Sequence, residues 1–98
     1  MTYFLTAPAA DDINEILDYI AAQSIQNAVL VARRFEKAFE QLAALPSLGH
    51  ARKELDDPAV RIYSVSGYLI LYDPTLQPLH ILRVVRGSRN LKQVRPKG

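Results

Sequence analysis

The sequence predicts an α+β fold of two layers, in which an antiparallel helical hairpin packs on a mostly antiparallel sheet. Two observations predict it: the first half contains two amphipathic helical patterns, and the second half contains three β-prone segments bounded by turn residues. A short β-prone run at residues 2–6 precedes the helices, which gives the order β-α-α-β-β-β. With 98 residues and neither a repeat nor a linker, the chain is expected to form a single domain over residues 1–98.

The first helix is predicted over residues 8–22. Thr6 offers a capping hydroxyl, and Pro8 stands in the first turn, where proline is tolerated. Apolar residues recur at positions i, i+3, i+4 and i+7 and form one stripe: Ile13, Ile16, Leu17 and Ile20. The acidic residues fall largely off this stripe and are expected to face solvent: Asp12, Glu15 and Asp18.

The second helix is predicted to follow Ser24, a second capping residue, and to end before Pro46, because proline disfavours helical geometry in the residue before it. Its expected buried stripe consists of Val31, Phe35, Phe39, Leu42 and Leu45. Since so few residues join the two helices, they are expected to form an antiparallel hairpin whose stripes need a common surface.

Three strands are predicted, at residues 60–66, 68–73 and 79–86, with Gly67 in the first turn. Both faces of the middle strand are apolar, which favours a central position in the sheet. After Gly87, basic residues recur every third position, and this spacing favours a short C-terminal helix.

Charge is distributed unevenly along the chain. Residues 1–60 carry nine acidic and five basic side chains, whereas residues 61–98 carry seven basic side chains and Asp73 alone as an acid. This asymmetry indicates an anionic partner for the second half, but a basic tail that only keeps a protein soluble explains the charge equally well.

Composition excludes several classes of protein. Cysteine is absent, which excludes disulfides and thiolate chemistry and fits a reducing cytoplasm. Residues 1–5 lack the features of a signal peptide, and the apolar run at residues 62–72 is too short to span a bilayer. A cytoplasmic protein without a membrane association is therefore expected.

The pattern offers no convincing catalytic or cofactor site. His50 and His80 stand thirty residues apart without an acidic cluster beside them, so neither a metal nor another cofactor is expected. Arg83 and Arg86 lie three apart on a strand and are expected to point to opposite faces. Basic side chains of this kind bind phosphates or carboxylates, which makes five residues candidates for binding an anionic target: Arg83, Arg86, Arg89, Lys92 and Arg95.

Residues 62–91 read IYSVSGYLILYDPTLQPLHILRVVRGSRNL and resemble the C-terminal half of ParE toxins in the RelE/ParE superfamily of type II toxin–antitoxin systems. Two upstream motifs resemble the family's first helix and the end of its second: Ala10-Asp11-Asp12-Ile13-x-x-Ile16-x-x-Tyr19-Ile20 and Leu42-x-x-Leu45-Pro46-x-x-Gly49. The resemblance covers nearly the whole chain. Arg86 stands where the family usually has histidine, and Asn90 where it usually has aspartate.

The resemblance implies one of two activities. RelE-like members cleave messenger RNA on the ribosome, and such a nuclease would depend here on Arg61, Arg83 and Arg86. ParE-like members inhibit DNA gyrase by binding, without chemistry of their own. Because no acid–base pair accompanies the arginines, and Leu69 replaces a frequent arginine of the nucleases, the sequence favours the gyrase inhibitor and a protein that is not an enzyme.

The resemblance also implies a cognate antitoxin, ParD-like or similar, which neutralises the toxin in a hetero-oligomer. The predicted antitoxin-binding residues are Ile13, Leu17, Ile20, Phe35 and Phe39. A third alternative is a relative that binds antitoxin but has lost toxicity, because the departures at Arg86 and Asn90 both fall in the key segment.

Overall fold

The computed structural model describes residues 2–94, and its elements follow the predicted order. They are β1 (Tyr3–Leu5), α1 (Ala7–Ala21), α2 (Ile25–Ala44), a 3₁₀ turn (Pro46–Leu48), β2 (Arg61–Val65), β3 (Tyr68–Asp73), β4 (Leu79–Arg86) and a second 3₁₀ turn (Leu91–Gln93). The α+β prediction is confirmed, and each predicted strand agrees with its observed bounds within one residue. No helix among the described residues is both long enough and apolar enough to cross a membrane.

The four strands form one sheet in the order β1-β4-β3-β2. The pairs β2–β3 and β3–β4 are antiparallel, whereas β1 runs parallel to β4, so β3 is a central strand as predicted. An irregularity in the β3–β4 ladder pairs Tyr72 with Ile81 and Leu71 with Arg83, which leaves Leu82 as an extra residue in β4.

Both predicted helix caps are present. The Thr6 hydroxyl oxygen accepts a hydrogen bond from the Ala9 amide at 3.3 Å, and the hydroxyl is also 3.0 Å from the carbonyl oxygen of Ile81, to which it donates. Ser24 accepts in the same way from the Asn27 amide at 3.2 Å. Thr6 therefore starts α1 and at the same time ties it to β4.

The main core lies between the helical hairpin and one face of the sheet. Phe35 and Phe39 are at its centre, 1% and 2% exposed, and the rings of Tyr3 and Tyr68 pack against them at 5.3 and 5.6 Å between centroids. The prediction that Phe35 and Phe39 bind an antitoxin is therefore wrong for the folded toxin. Their stripe faces the sheet, because complete burial of large aromatic side chains stabilises the fold more than partial exposure would.

The other face of the sheet is covered by irregular chain. Leu55 and Val60 from the α2–β2 loop, with Leu91 and Val94 from the C-terminal segment, pack against β2, β3 and β4. The short C-terminal helix is present only as one 3₁₀ turn, and Arg89 lies before it. Burial of Leu91 and Val94 holds this segment along the sheet, so the predicted alignment of Arg89 and Lys92 on one helix is wrong.

Candidate target-binding surface

One end of the sheet brings together residues that are far apart in the sequence. Ser66 and Gly67, both with positive φ (52° and 83°), form the tight β2–β3 turn. The Gly87 amide donates to the Gly67 carbonyl oxygen at 2.9 Å, which holds the end of β4 against this turn. We call this surface the basic end and define it by five exposed residues: Arg34, Ser66, Gly67, Arg86 and Arg89.

Arg86 is held over an aromatic ring. Its guanidinium carbon lies 5.2 Å from the centroid of Tyr19, a residue of α1 that is itself 57% exposed. A cation–π contact at an exposed site contributes about 0.5–1 kcal/mol, enough to orient the guanidinium without covering it. Arg86 therefore remains available to an anion in solution.

A groove of about 410 Å³ runs between α1 and the end of β4. Arg86 and Arg89 line its sheet side, and Asp12, Glu15 and Tyr19 line its helix side. The Arg89 amide donates to the Arg86 carbonyl oxygen at 3.0 Å, so a turn keeps the two arginines close. The groove therefore has walls of opposite charge and an aromatic rim.

Arg83, the first candidate, is engaged inside the fold. Its Nε lies 2.6 Å from Asp12 Oδ2 and its Nη2 3.0 Å from Oδ1, and both side chains are under one-fifth exposed (16% and 13%). The hydrogen bond to Asp12 is the main reason that the pKa of Arg83 is raised above its usual value. Arg83 thus joins α1 to β4.

Asp12 does not face solvent, which corrects the prediction made from the α1 stripe. β1 covers β4 only as far as Ile81, so the Val84 amide beyond it has no strand partner on that edge. Asp12 Oδ2 accepts from this amide at 3.0 Å. Open strand edges need such a partner, and a carboxylate beside Arg83 satisfies both donors at once.

The register keeps Arg83 and Arg86 on opposite faces, as predicted, because Arg83 pairs with Leu71 and Arg86 with Tyr68. Both guanidiniums nevertheless reach α1, at Asp12 and at Tyr19. Alternation along the strand therefore predicts the face on which a long side chain leaves the backbone, but not the position of its charged end.

The three arginines proposed for a nuclease do not converge. Arg61 pairs with Tyr72, four residues along β3 from the Tyr68 that pairs with Arg86, a separation of about 13 Å along the strand. Arg61 Nη1 donates to the Gly49 carbonyl oxygen at 2.8 Å. Two of the three guanidiniums, those of Arg61 and Arg83, are thus engaged within the protein.

The opposite end of the sheet is closed by hydrogen bonds. The Tyr72 hydroxyl donates to the Pro46 carbonyl oxygen at 2.7 Å and accepts from the Gly49 amide at 2.8 Å. Burial raises the pKa of Tyr72 above its usual value of 10.0. We call Pro46, Gly49, Arg61 and Tyr72 the closed end, because hydrogen bonds join these four residues.

The remaining predicted residues lie at the surface or beyond the described chain. Lys92 is exposed, and its amide donates to the Asn90 side chain at 3.0 Å, so Asn90 makes the local turn without a charge. Arg95 lies outside the described residues. Within residues 2–94, no three histidine, aspartate or glutamate side chains are grouped so that they could hold a metal ion.

The apolar residues predicted for antitoxin binding on α1 are Ile13, Leu17 and Ile20, and each of them is half-buried. The two helices also expose large apolar side chains: Tyr19, Ile25, Val29 and Leu30. Ile25 is 73% exposed, the largest value of the four. Several exposed apolar side chains on one helical hairpin favour a protein-binding surface.

The sequence did not predict two residues as site residues: Arg34 of the basic end, and Tyr19, whose ring contacts Arg86. Tyr19 stands in the α1 motif, and its position next to the apolar stripe was the available signal. Arg34 gives no local signal, because its contact with Ser66 spans 32 residues.

The fold is that of a small α+β protein with a helical hairpin on a mixed sheet, and comparisons with known proteins identify its family. The family profile described as "ParE toxin of type II toxin-antitoxin system, parDE" matches residues 3–91. Toxin ParE3 of Caulobacter vibrioides is 31% identical over 87 residues, which cover 88% of this chain and 86% of that protein. The chain belongs to the ParE toxin family of type II toxin–antitoxin systems.

A solved structure shares the fold. The chromosomal ParDE TA system from P. aeruginosa contains a chain that superposes with a TM-score of 0.70, at 21% sequence identity. The match covers 88% of this chain and 95% of that one. At this identity the likeness concerns the fold, a helical hairpin on a mixed sheet.

Proposed function

We propose that this protein inhibits DNA gyrase by binding it through the basic end, and that a cognate, ParD-like antitoxin neutralises it in the cytoplasm. One observation favours DNA gyrase over the ribosome as the target. Arg61 and Arg83, which a nuclease would need, are engaged by Gly49 and Asp12, whereas Arg86 and Arg89 are exposed at an open groove.

An inhibitor that acts by binding needs exposed charged groups in fixed positions, and the basic end supplies them. Arg86 is oriented by Tyr19, and the turn that follows it is fixed by the Gly87–Gly67 hydrogen bond. Less conformational entropy is therefore lost when an anionic surface binds there. Arg83 has a different role in this proposal: it keeps α1, and with it Tyr19, in place.

Antitoxin binding is assigned to the outer surface of the helical hairpin. Ile13, Leu17 and Ile20 of the original prediction are retained, and Ile25 and Val29 replace the buried Phe35 and Phe39. An amphipathic antitoxin segment would cover these apolar side chains and form a toxin–antitoxin hetero-oligomer. Lys92, and Arg95 beyond the described chain, stay candidates for target binding.

A supercoiling assay with purified gyrase and relaxed plasmid tests the proposal. We expect this toxin to block supercoiling or to trap cleaved DNA, and the co-purified antitoxin to reverse the effect. Codon-positioned cuts in ribosome-bound message, together with unaffected gyrase, would instead identify a nuclease. Normal growth during induced expression without antitoxin would show that the chain is a non-toxic relative.

A further inference from the structure

We infer that the basic end binds the phosphate backbone of duplex DNA, and that Arg34 of α2 belongs to this DNA-binding surface. The first observation is the position of Arg34. Its Nη1 donates to the Ser66 hydroxyl at 3.4 Å, so α2 adds a cation to the turn at which β2 and β3 meet. In the sequence this arginine belongs to the half with excess acid, and only the fold brings it to the same end of the sheet as Arg86 and Arg89.

The second observation is that cations flank the β2–β3 turn. Arg34 contacts Ser66 of this turn, and Arg86, at the end of β4, pairs with Tyr68 on its other side. Duplex DNA presents a continuous row of phosphates along each strand. Cations on both sides of the turn therefore offer contacts to more than one phosphate.

The third observation is the chemistry between these cations. Four exposed residues line a shallow groove of about 420 Å³ together with Arg86: Ser66, Gly67, Gly87 and Ser88. Arginine, serine and backbone amides provide many of the contacts that proteins make with DNA phosphates. Two glycines leave no side chain between the protein backbone and a bulky polyanion.

Duplex DNA is chosen over an acidic peptide because the inference rests on the proposed function, whose target enzyme holds DNA. A toxin bound to that enzyme through Arg86 would place its neighbouring cations against the bound DNA. The affinity of such a contact depends steeply on salt, since each neutralised phosphate releases counterions. This dependence can be measured without gyrase.

The test is fluorescence anisotropy of a labelled duplex of mixed sequence, titrated with the purified full-length toxin at several salt concentrations. We expect Arg34→Ala to weaken binding about eightfold near 0.1 M salt and to lower the slope of log K against log salt by about 0.9. The matched control is Lys53→Ala, which removes one exposed charge from the α2–β2 loop. The control should bind as tightly as wild type.

Three outcomes would overturn the inference: no binding of duplex DNA by wild type, equal losses for Arg34→Ala and Lys53→Ala, or binding of poly-glutamate with the same affinity and the same loss at Arg34. A supercoiling assay on the same preparations separates this inference from the proposed function. Gyrase inhibition without DNA binding contradicts the inference alone, and DNA binding without gyrase inhibition contradicts the proposed function alone.

Discussion

The two ends of the sheet use arginine in opposite ways. At the closed end, Arg61 donates to the Gly49 carbonyl oxygen, and the Gly49 amide donates to the Tyr72 hydroxyl. At the basic end, the Arg86 side chain is exposed, and its guanidinium lies over the ring of Tyr19. The difference shows that the charge of the C-terminal half has two roles: part of it holds the fold together, and part of it faces solvent.

The glycines of the two ends provide the largest expected difference. A Cβ on Gly49 would lie 2.5 Å from both the Ile62 carbonyl oxygen and the Tyr72 hydroxyl, whereas one on Gly67 would meet open space. We expect Gly49→Ala to lower the free energy of unfolding by about 4 kcal/mol, through overpacking and lost hydrogen bonds. Gly67→Ala should cost about 1 kcal/mol, since only its positive φ (83°) is strained.

Urea denaturation of both variants measures this difference. Equal midpoints for Gly49→Ala and Gly67→Ala would contradict the contrast between a tightly packed end and an open one.

The Asp12–Arg83 pair belongs to the charges that hold the fold together. Asp12→Asn removes the charge that faces Arg83, in a site where both side chains are largely buried. We expect a loss of about 2–3 kcal/mol in the free energy of unfolding, because a partly buried guanidinium would lose its nearest counter-charge. The control Asp11→Asn, at an exposed neighbouring position, should change it by less than about 0.5 kcal/mol. Similar losses for the two variants would show that the pair is not structural.

The Tyr72 hydroxyl provides a smaller effect with a pH signature. Tyr72→Phe leaves the Gly49 amide and the Pro46 carbonyl oxygen without this partner, which we expect to cost about 1.5 kcal/mol at neutral pH. Burial raises the pKa of Tyr72 in the folded state above the 10.0 of the unfolded chain. Its contribution is therefore complete below pH 10 and is lost as pH rises through the folded pKa.

The free energy of unfolding of wild type should accordingly fall more steeply above pH 10 than that of Tyr72→Phe. Burial also raises the pKa of Tyr3. Tyr3 is present in both proteins, so its contribution to the pH dependence cancels when the two profiles are compared. Parallel pH profiles for the two proteins would contradict the account of the closed end.

The sequence predicted elements better than contacts. The caps at Thr6 and Ser24 and the central position of β3 depend on local patterns, and all three are confirmed. Phe35 and Phe39 were placed in a stripe correctly, but the stripe alone could not tell core from docking surface. Their burial follows from the sheet beneath them.

Contacts across the chain were missed for a related reason. Asp12 and Arg83 are 71 residues apart, and the open edge that Asp12 covers exists only because β1 ends at Leu5. The same holds for Arg34 beside Ser66. A helical period assigns a side chain to a face of its own helix, whereas strand order and strand length decide what that face meets.

Arg86→Ala is expected to have a small effect on stability, about 0.5–1 kcal/mol for the lost contact with Tyr19, and it tests the central claim most directly. Gyrase supercoiling would be measured with wild type, Arg86→Ala and the control Lys53→Ala. We predict that Arg86→Ala needs at least about tenfold more toxin for half-inhibition, while the control matches wild type. Equal inhibition by all three proteins would contradict the claim that the basic end binds the target.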